Sequence, residues 1–466
     1  MSKNKKNEIS LKEKLEKALV PVEEQAYKIP DNWVWTRLGD IYNLFTGNSI
    51  PESEKSTKYI SLLEGYKYIA TKDVAYNGEI NYENGLIIPY NEKKFKIAKV
   101  NSSLLCIEGG SAGRKVGIID RDVCFGNKLC CFESNSNLEN KIIYYYIKSE
   151  NFLSLFRENM NGLIGGVSLN NLKKIDFPLP PLKEQKRIVE KLDFLFDKTK
   201  KAKEIIEGIK VDIENRKISI LDRAFKGVLT SKWRNGNKTS DVRELLKSIN
   251  DEKIKKWEED CLQAEKNGNK KPKKPIIREV EDMIVPVEEQ PYKLPASWVW
   301  VRLREVVEVN PNKIKIDIRE DELVDFIPMK NVSESSPEII EKNFEKFKDL
   351  QKGYTQFIEN DILFAKITPC MENGKTAIIS DLKEKIGYGS TEFHILRSSK
   401  IINNKLLYNF LKQKRFRDDA KYNMTGSVGF RRVPTIFMKN YSFPLPPLDE
   451  QKRIVEKLDF LFDKTK

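Results

Sequence analysis

The sequence predicts an α+β chain with two similar domains in tandem, separated by long helices. A repeat across most of the chain, strand-like runs inside each copy and an apolar period of 3.5 residues after the first copy all point that way.

The repeat fixes the layout. FPLPPLKEQKRIVEKLDFLFDKTK, Phe177 to Lys200, returns 266 residues on at Phe443 to Lys466 with 23 of 24 positions identical, and only Lys183 becomes Asp449. VPVEEQAYKIPDNWVWTRLGD from Val20 likewise returns as VPVEEQPYKLPASWVWVRLRE from Val285. Each copy therefore opens on a Trp-x-Trp strand and closes on a Pro-rich turn into a helix. The resulting order is an N-terminal helical segment (1–19), a first domain (20–181), a long helix (182–230), a helical and basic linker (231–284), a second domain (285–447) and a second, shorter helix (448–466).

Between the markers the copies diverge, yet both carry β-branched and aromatic runs punctuated by Gly and Asn, as half-buried strands require. After the first copy, Pro180 and Pro181 suit a first helical turn, where a backbone N–H has no partner, so a helix begins near Leu182. Ile188, Leu192, Leu195, Ile206, Ile209 and Ile213, with Thr199 and Ala202 filling the gap after Leu195, then follow at steps of three and four, which is coiled-coil spacing. A helix to about Val228 would be roughly 70 Å long. Ile454, Leu458 and Leu461 repeat the same face in the second copy, which suggests that the two helices pair, although Arg216 and Arg223 interrupt the seam. The other reading of the stripe packs each helix on its own domain. In the linker, Ser240 or Asp241 would cap a helix whose buried face carries Val242, Leu245, Leu246, Ile249 and Trp257. The segment from Lys266 to Arg278 holds six basic residues and no acid, and reads as a flexible connector or a DNA-backbone contact.

Composition narrows the function. With 83 Lys and Arg against 69 Asp and Glu, the net charge of +14 suits a phosphate-backbone partner and equally a solvated surface. No signal-type apolar core or 18-residue apolar run occurs, so a soluble, cytoplasmic protein without membrane contact is expected. Six cysteines without CxxC spacing and one histidine, His394, argue for buried thiols and against a metal site. Gly374-Lys375-Thr376 lacks the upstream glycine of a phosphate-binding loop and reads as a hairpin turn, and no S-adenosylmethionine loop or base-flipping motif appears. No catalytic residue is assigned.

Two divergent domains, each followed by a near-identical FPLPPLxEQKRIVEKLD helix, together with ILDRAFKGVLTSKW at Ile220 to Trp233, resemble the specificity subunits of type I restriction-modification systems. The resemblance implies two target-recognition domains, each reading one half of a split double-stranded DNA site. It also implies an antiparallel coiled coil that sets the spacing and docks two modification (methyltransferase) subunits, with restriction subunits joining them. S-adenosylmethionine, ATP and Mg would then belong to those partners, and this chain would be non-catalytic. The second copy carries no counterpart of Lys201 to Trp233, so its helix looks cut short. A coiled-coil scaffold without DNA readout and the specificity part of a single-chain restriction-modification enzyme are the alternatives.

Base readout needs Arg, Lys, Asn, Gln, Ser or Thr on exposed loops. The candidates are Ser111, Arg114 and Lys115 in GGSAGRK, and Asn161, Ser168, Asn170 and Asn171 in NGLIGGVSLNN. In the second domain they are Lys366, Thr368 and Lys375, with Ser427, Arg431 and Arg432 in TGSVGFRR.

Overall fold

The computed structural model describes residues 11–60, 62–134, 138–160, 165–266, 268, 270–427 and 429–465. It divides into two compact units, Met1–Ile205 and Ile206–Lys466.

In the first unit the repeat marker Val34–Arg37 (β1) pairs antiparallel with Asp176–Leu179 (β10), setting Trp35 opposite Pro178. Pro178 has no N–H to give, and it sits on a strand with a single neighbour, where none is needed. Between them run β2 (Tyr42–Thr46), β3 (Tyr66–Ile69), β4 (Ile87–Ile88), β5 (Ile97–Ala98), β6 (Ser103–Cys106), β7 (Val116–Ile118), β8 (Val123–Phe125) and β9 (Leu129–Ser134). One sheet has the order β2-β9-β6-β7, all antiparallel. The other has the order β4-β3-β8-β5, with β3 and β8 parallel.

The first sheet is covered on both faces. Leu105, Cys130 and Phe132 turn toward a core shared with helices Asn140–Ile147 and Glu150–Glu158. Their neighbours Leu104, Cys106, Leu129 and Cys131 turn toward the other sheet. Alternation along a strand sorts one residue into each core, so these strands read as unbroken apolar runs. The expectation of half-buried strands is corrected here. All six cysteines are free, and those at 106, 124, 130 and 131 are buried; burial pushes the Cys124 and Cys131 thiols up to about 12.

The second unit repeats this plan strand for strand. Val299–Arg302 (β11) pairs with Ser442–Leu445 (β20), setting Trp300 opposite Pro444. The inner strands are β12 (Val307–Val309), β13 (Leu323–Ile327), β14 (Asn343–Lys346), β15 (Thr355–Ile358), β16 (Ile362–Ala365), β17 (Thr376–Ile378), β18 (Ile386–Gly389) and β19 (Phe393–Ser398). The sheets have the orders β12-β19-β16-β17 and β14-β13-β18-β15, with β13 and β18 parallel.

The repeated residues close each domain in the same way. Gln25 donates to the Val20 carbonyl at 3.1 Å and Gln290 to that of Val285 at 2.9 Å. The Trp35 indole donates to the Tyr27 carbonyl at 3.2 Å and Trp300 to that of Tyr292 at 2.9 Å. At the helix starts, Gln185 donates to Pro180 at 2.8 Å and Gln451 to Pro446 at 3.1 Å. These bonds are local and shape the entry and exit of each domain, while the β1–β10 and β11–β20 pairs join its two ends.

The helix predicted from Leu182 runs unbroken to Phe225, 44 residues. Its apolar stripe divides by position. Ile188 packs on the first core beside the buried Val189, and Leu192 is half-buried. Leu195, Ile206 and Ile209 are exposed, and Ile213 is half-buried. In the C-terminal helix Leu448–Asp463, Ile454 and Leu458 are core residues of the second unit, packed with Phe225 and Leu445, and Leu461 is half-buried. Ile188 thus packs on the first domain's core, whereas Ile454 and Leu458 share a core with Leu221, Ala224 and Phe225 at the end of the long helix.

The linker helix spans Val242–Lys266, and the Asp241 carboxylate accepts from the Arg243 amide at 2.8 Å, so Asp241 is the cap. Val242, Leu246 and Ile249 are buried. The basic segment after it is anchored rather than detached: Trp257 donates to the Pro272 carbonyl at 3.0 Å and Asn250 to that of Arg278 at 2.9 Å.

Candidate nucleic-acid interface

The GGSAGRK loop joins β6 to β7. It is held by the Gly113 amide on the Cys106 carbonyl at 2.8 Å and the Cys106 amide on the Lys115 carbonyl at 2.9 Å. Gly113 has a φ of +74°, and a Cβ there would stand 2.8 Å from the Phe156 ring, so only glycine fits. The turn leaves Ser111 half-buried and Arg114 exposed.

Tyr76, far away in sequence, completes the cluster. Its ring lies 5.8 Å from the Arg114 guanidinium and 5.2 Å from the Lys115 ammonium, and its hydroxyl is 3.3 Å from that of Ser111. Arg114 also donates to the Gly110 carbonyl. Lys115 reaches inward to the Thr71 carbonyl at 3.3 Å. Tyr76 is an exposed aromatic beside two cations, a chemistry that stacks on bases and holds phosphates. Nothing in its local sequence marks it.

The other first-domain candidates divide. Ser168 caps helix Leu169–Lys173, accepting from the Asn171 amide at 3.2 Å, so its hydroxyl is used within the fold. Asn170 is exposed and Asn171 half-buried. Asn161 lies outside the described residues.

In the second domain the loop after β16 carries Lys366, Thr368 and Lys375. Lys375 donates to the Met329 carbonyl at 3.1 Å, repeating the inward reach of Lys115, so this matched pair of lysines pins a neighbouring turn in each domain. Gly374-Lys375-Thr376 leads into β17 of the antiparallel β16–β17 hairpin. Thr368 donates its hydroxyl to the Gly429 carbonyl at 3.2 Å and its amide to the Arg431 carbonyl at 3.1 Å. This draws the TGSVGFRR segment onto the loop.

Arg432 forms a two-point ion pair with Glu392 at 2.8 and 2.7 Å. Those bonds hold the Glu392 carboxyl below the usual carboxylate range. Lys366 stands beside the pair, its pKa lowered by burial. Arg431 and Ser427 are exposed, with no side-chain partner among the described residues, and Phe430 is exposed beside them.

His394 is buried, with Nε2 2.8 Å from the Val433 carbonyl and Nδ1 3.0 Å from the Asn310 amide, and burial lowers its pKa to about 4. Among the described residues no cluster of His, Cys, Asp and Glu could hold a metal ion, and no helix is long and apolar enough to cross a membrane.

Two domains of one fold thus present unlike polar loops. The chain belongs to the family of the type I restriction modification DNA specificity domain, whose model matches residues 30–211 and 295–466. It is 42% identical to the type I restriction enzyme EcoAI specificity subunit of Escherichia coli over 238 residues, which is 51% of this chain and 37% of that protein. It thus spans well under two thirds of that relative. With the MjaVIII specificity subunit of Methanocaldococcus jannaschii it shares 23% identity over 94% of this chain and 87% of the relative. A chain from a solved type I restriction-modification system shares the fold, with a TM-score of 0.61 at 17% identity over 94% of this chain and 92% of that one.

Proposed function

We propose that this chain is the sequence-reading subunit of a type I restriction-modification complex, in which each domain reads one half of a bipartite duplex site. The carrying observation is that one backbone plan is built twice while its exposed polar loops differ. A protein reading the same half-site twice would have no need of different loops.

Tyr76, Arg114 and Ser111 form the first reading surface, and Phe430, Arg431 and Ser427 the second, with Arg432 held beside them. Cations and hydroxyls on such loops position phosphates and read base edges. The exposed stripe of Leu195, Ile206 and Ile209 on the long helix is the assembly surface, where helix pairing as an antiparallel coiled coil would set the spacing. Two modification subunits and the restriction subunits would dock there and bring S-adenosylmethionine, ATP and Mg. This chain performs no chemistry.

Selection from randomised duplexes by gel shift tests the reading. Enrichment of two short sequences at a fixed separation is the expected result. A protein that scaffolds through the stripe alone would enrich nothing. Methyl transfer by the purified chain would point instead to a single-chain enzyme.

A further inference from the structure

The two domains can be aligned at the loop by backbone hydrogen bonds alone. The Ile107 amide donates to the Lys128 carbonyl at 3.0 Å, and the Lys366 amide donates to that of Glu392 at 2.9 Å. The Val167 amide donates to the Ile107 carbonyl at 3.0 Å, and the Val433 amide to that of Lys366 at 2.8 Å. The bridge Glu108 to Gly166 recurs as Ile367 to Arg432. Four positions therefore correspond: 107 with 366, 108 with 367, 128 with 392, and 166 with 432.

Their side chains do not correspond. In the first domain Lys128 pairs with Glu108 at 3.2 Å, and both are about half exposed. In the second, Glu392 pairs with Arg432 at 2.7 Å, also within reach of solvent. The cation stands at position 128 of the frame in one domain, and the anion stands at the same position in the other. The partner lies on opposite sides of the bridge, at 108 in the first domain and at 432 in the second.

The geometry points to these ion pairs as specificity determinants, each placed to read the major-groove edge of a G·C pair with opposite polarity in the two half-sites. A guanine edge offers two acceptors suited to Lys or Arg, and cytosine offers an amino donor suited to Glu. An ion pair presents both halves of that match at once, and inverting it inverts the strand it prefers. Each pair is satisfied without DNA, so a mismatched base would have to break it without replacing its bonds. This rests on the reading of the chain as a bipartite DNA binder and adds which side chains choose the base.

The test uses the full chain and the duplex selected by the wild type, in competition gel shifts against every single-base-pair change. Glu392→Gln should cut discrimination at one G·C pair of one half-site by about tenfold and leave the other half-site unchanged. The exchange Glu392→Arg with Arg432→Glu keeps both charges, and so guards against simple unfolding; it should favour the inverted pair at that position. Lys128→Met should act on the other half-site only. If the wild type selects a split site and these variants leave both halves unaltered, the ion pairs are structural and the inference is wrong. If the wild type selects no site, the DNA reading itself falls, and the inference with it.

Discussion

Replacing Glu450 with Ala should destabilise the second unit by about 4 kcal/mol, while the same change at its repeat counterpart, Glu184, should cost about 1 kcal/mol or less. The two glutamates occupy the same place in the duplicated helix-start sequence, so sequence context predicts equal costs. The surroundings differ. Glu450 is fully buried and accepts from the Thr230 hydroxyl at 2.5 Å, Arg234 at 2.7 Å and the Trp298 indole at 2.8 Å. Its loss strands the buried Thr230 hydroxyl and Trp298 N–H, each worth about 1–3 kcal/mol, beside a guanidinium that is 15% exposed. Breaking a buried pair in this way costs roughly 3–5 kcal/mol, and the contributions overlap rather than add. Glu184 has one neutral partner, Asn32 at 3.0 Å, and a long contact to the exposed Arg187 at 3.5 Å.

Hydrogen exchange at the amides of 224–234, alongside urea unfolding, measures the effect where it should appear. Glu450→Ala should release protection in that segment, and Arg234→Ala in the same background should add little. Equal losses for the two glutamates, or a Glu450→Ala cost below about 1 kcal/mol, would refute the argument that burial rather than sequence sets the contribution.

Arg431→Ala should weaken binding to the selected duplex by about 1–3 kcal/mol and relax one base position, because the side chain is exposed and unpartnered among the described residues; unchanged affinity and selectivity remove it from the interface. Tyr76→Ala should lower affinity for the first half-site by a few fold, since an exposed ring holding a cation is worth about 0.5–1 kcal/mol. Tyr76→Phe keeps the ring and should bind as the wild type does; a large loss there would assign the effect to the hydroxyl at Ser111. His394 should stay neutral down to about pH 4 in the folded chain, read by NMR titration of its ring. Because its folded pKa lies below the unfolded value of about 6.5, its contribution, on the order of 3 kcal/mol, is present above pH 6.5 and fades as pH falls toward 4. Titration near 6.5 in the folded state would overturn the burial argument.

The tandem plan was legible because duplicated segments sit at the domain closures, where the same packing must be built twice. The long helix was legible from its period and its Pro-Pro start. The two-sided burial of strand Ser103–Cys106 was present in the sequence as the apolar run Leu104 to Ile107, but periodicity alone cannot tell so short a run from a buried helix segment. The candidate site was legible only as loops. Lys115 and Lys375 stand out in the sequence as loop cations, yet both donate to backbone carbonyls. Tyr76 carries no local signal, because its ring meets Arg114 only in the folded chain. Lys128 and Glu392 were hidden for a different reason: unequal spacings and dissimilar neighbours prevent alignment by residue type, and the shared hydrogen bonds alone show that they correspond.

The single difference in the 24-residue repeat follows the same logic. Lys183 is exposed at the start of the long helix, whereas Asp449 accepts from the Ser240 hydroxyl at 2.8 Å, a bond that holds its carboxyl below the ordinary range. Ser240 lies just before the linker helix, which buries Val242 and Leu246 in the second core. A lysine at 449 would bring a cation to a hydroxyl that also serves as a donor, and would give up the helix-start preference for an acid. The repeat therefore departs from identity where the linker reaches the second copy. Glu184 and Glu450 keep the same residue and differ only in what lies upon them. What duplication preserved is the closure of each domain, and the changes fall where other chain segments or the proposed DNA bases must be met.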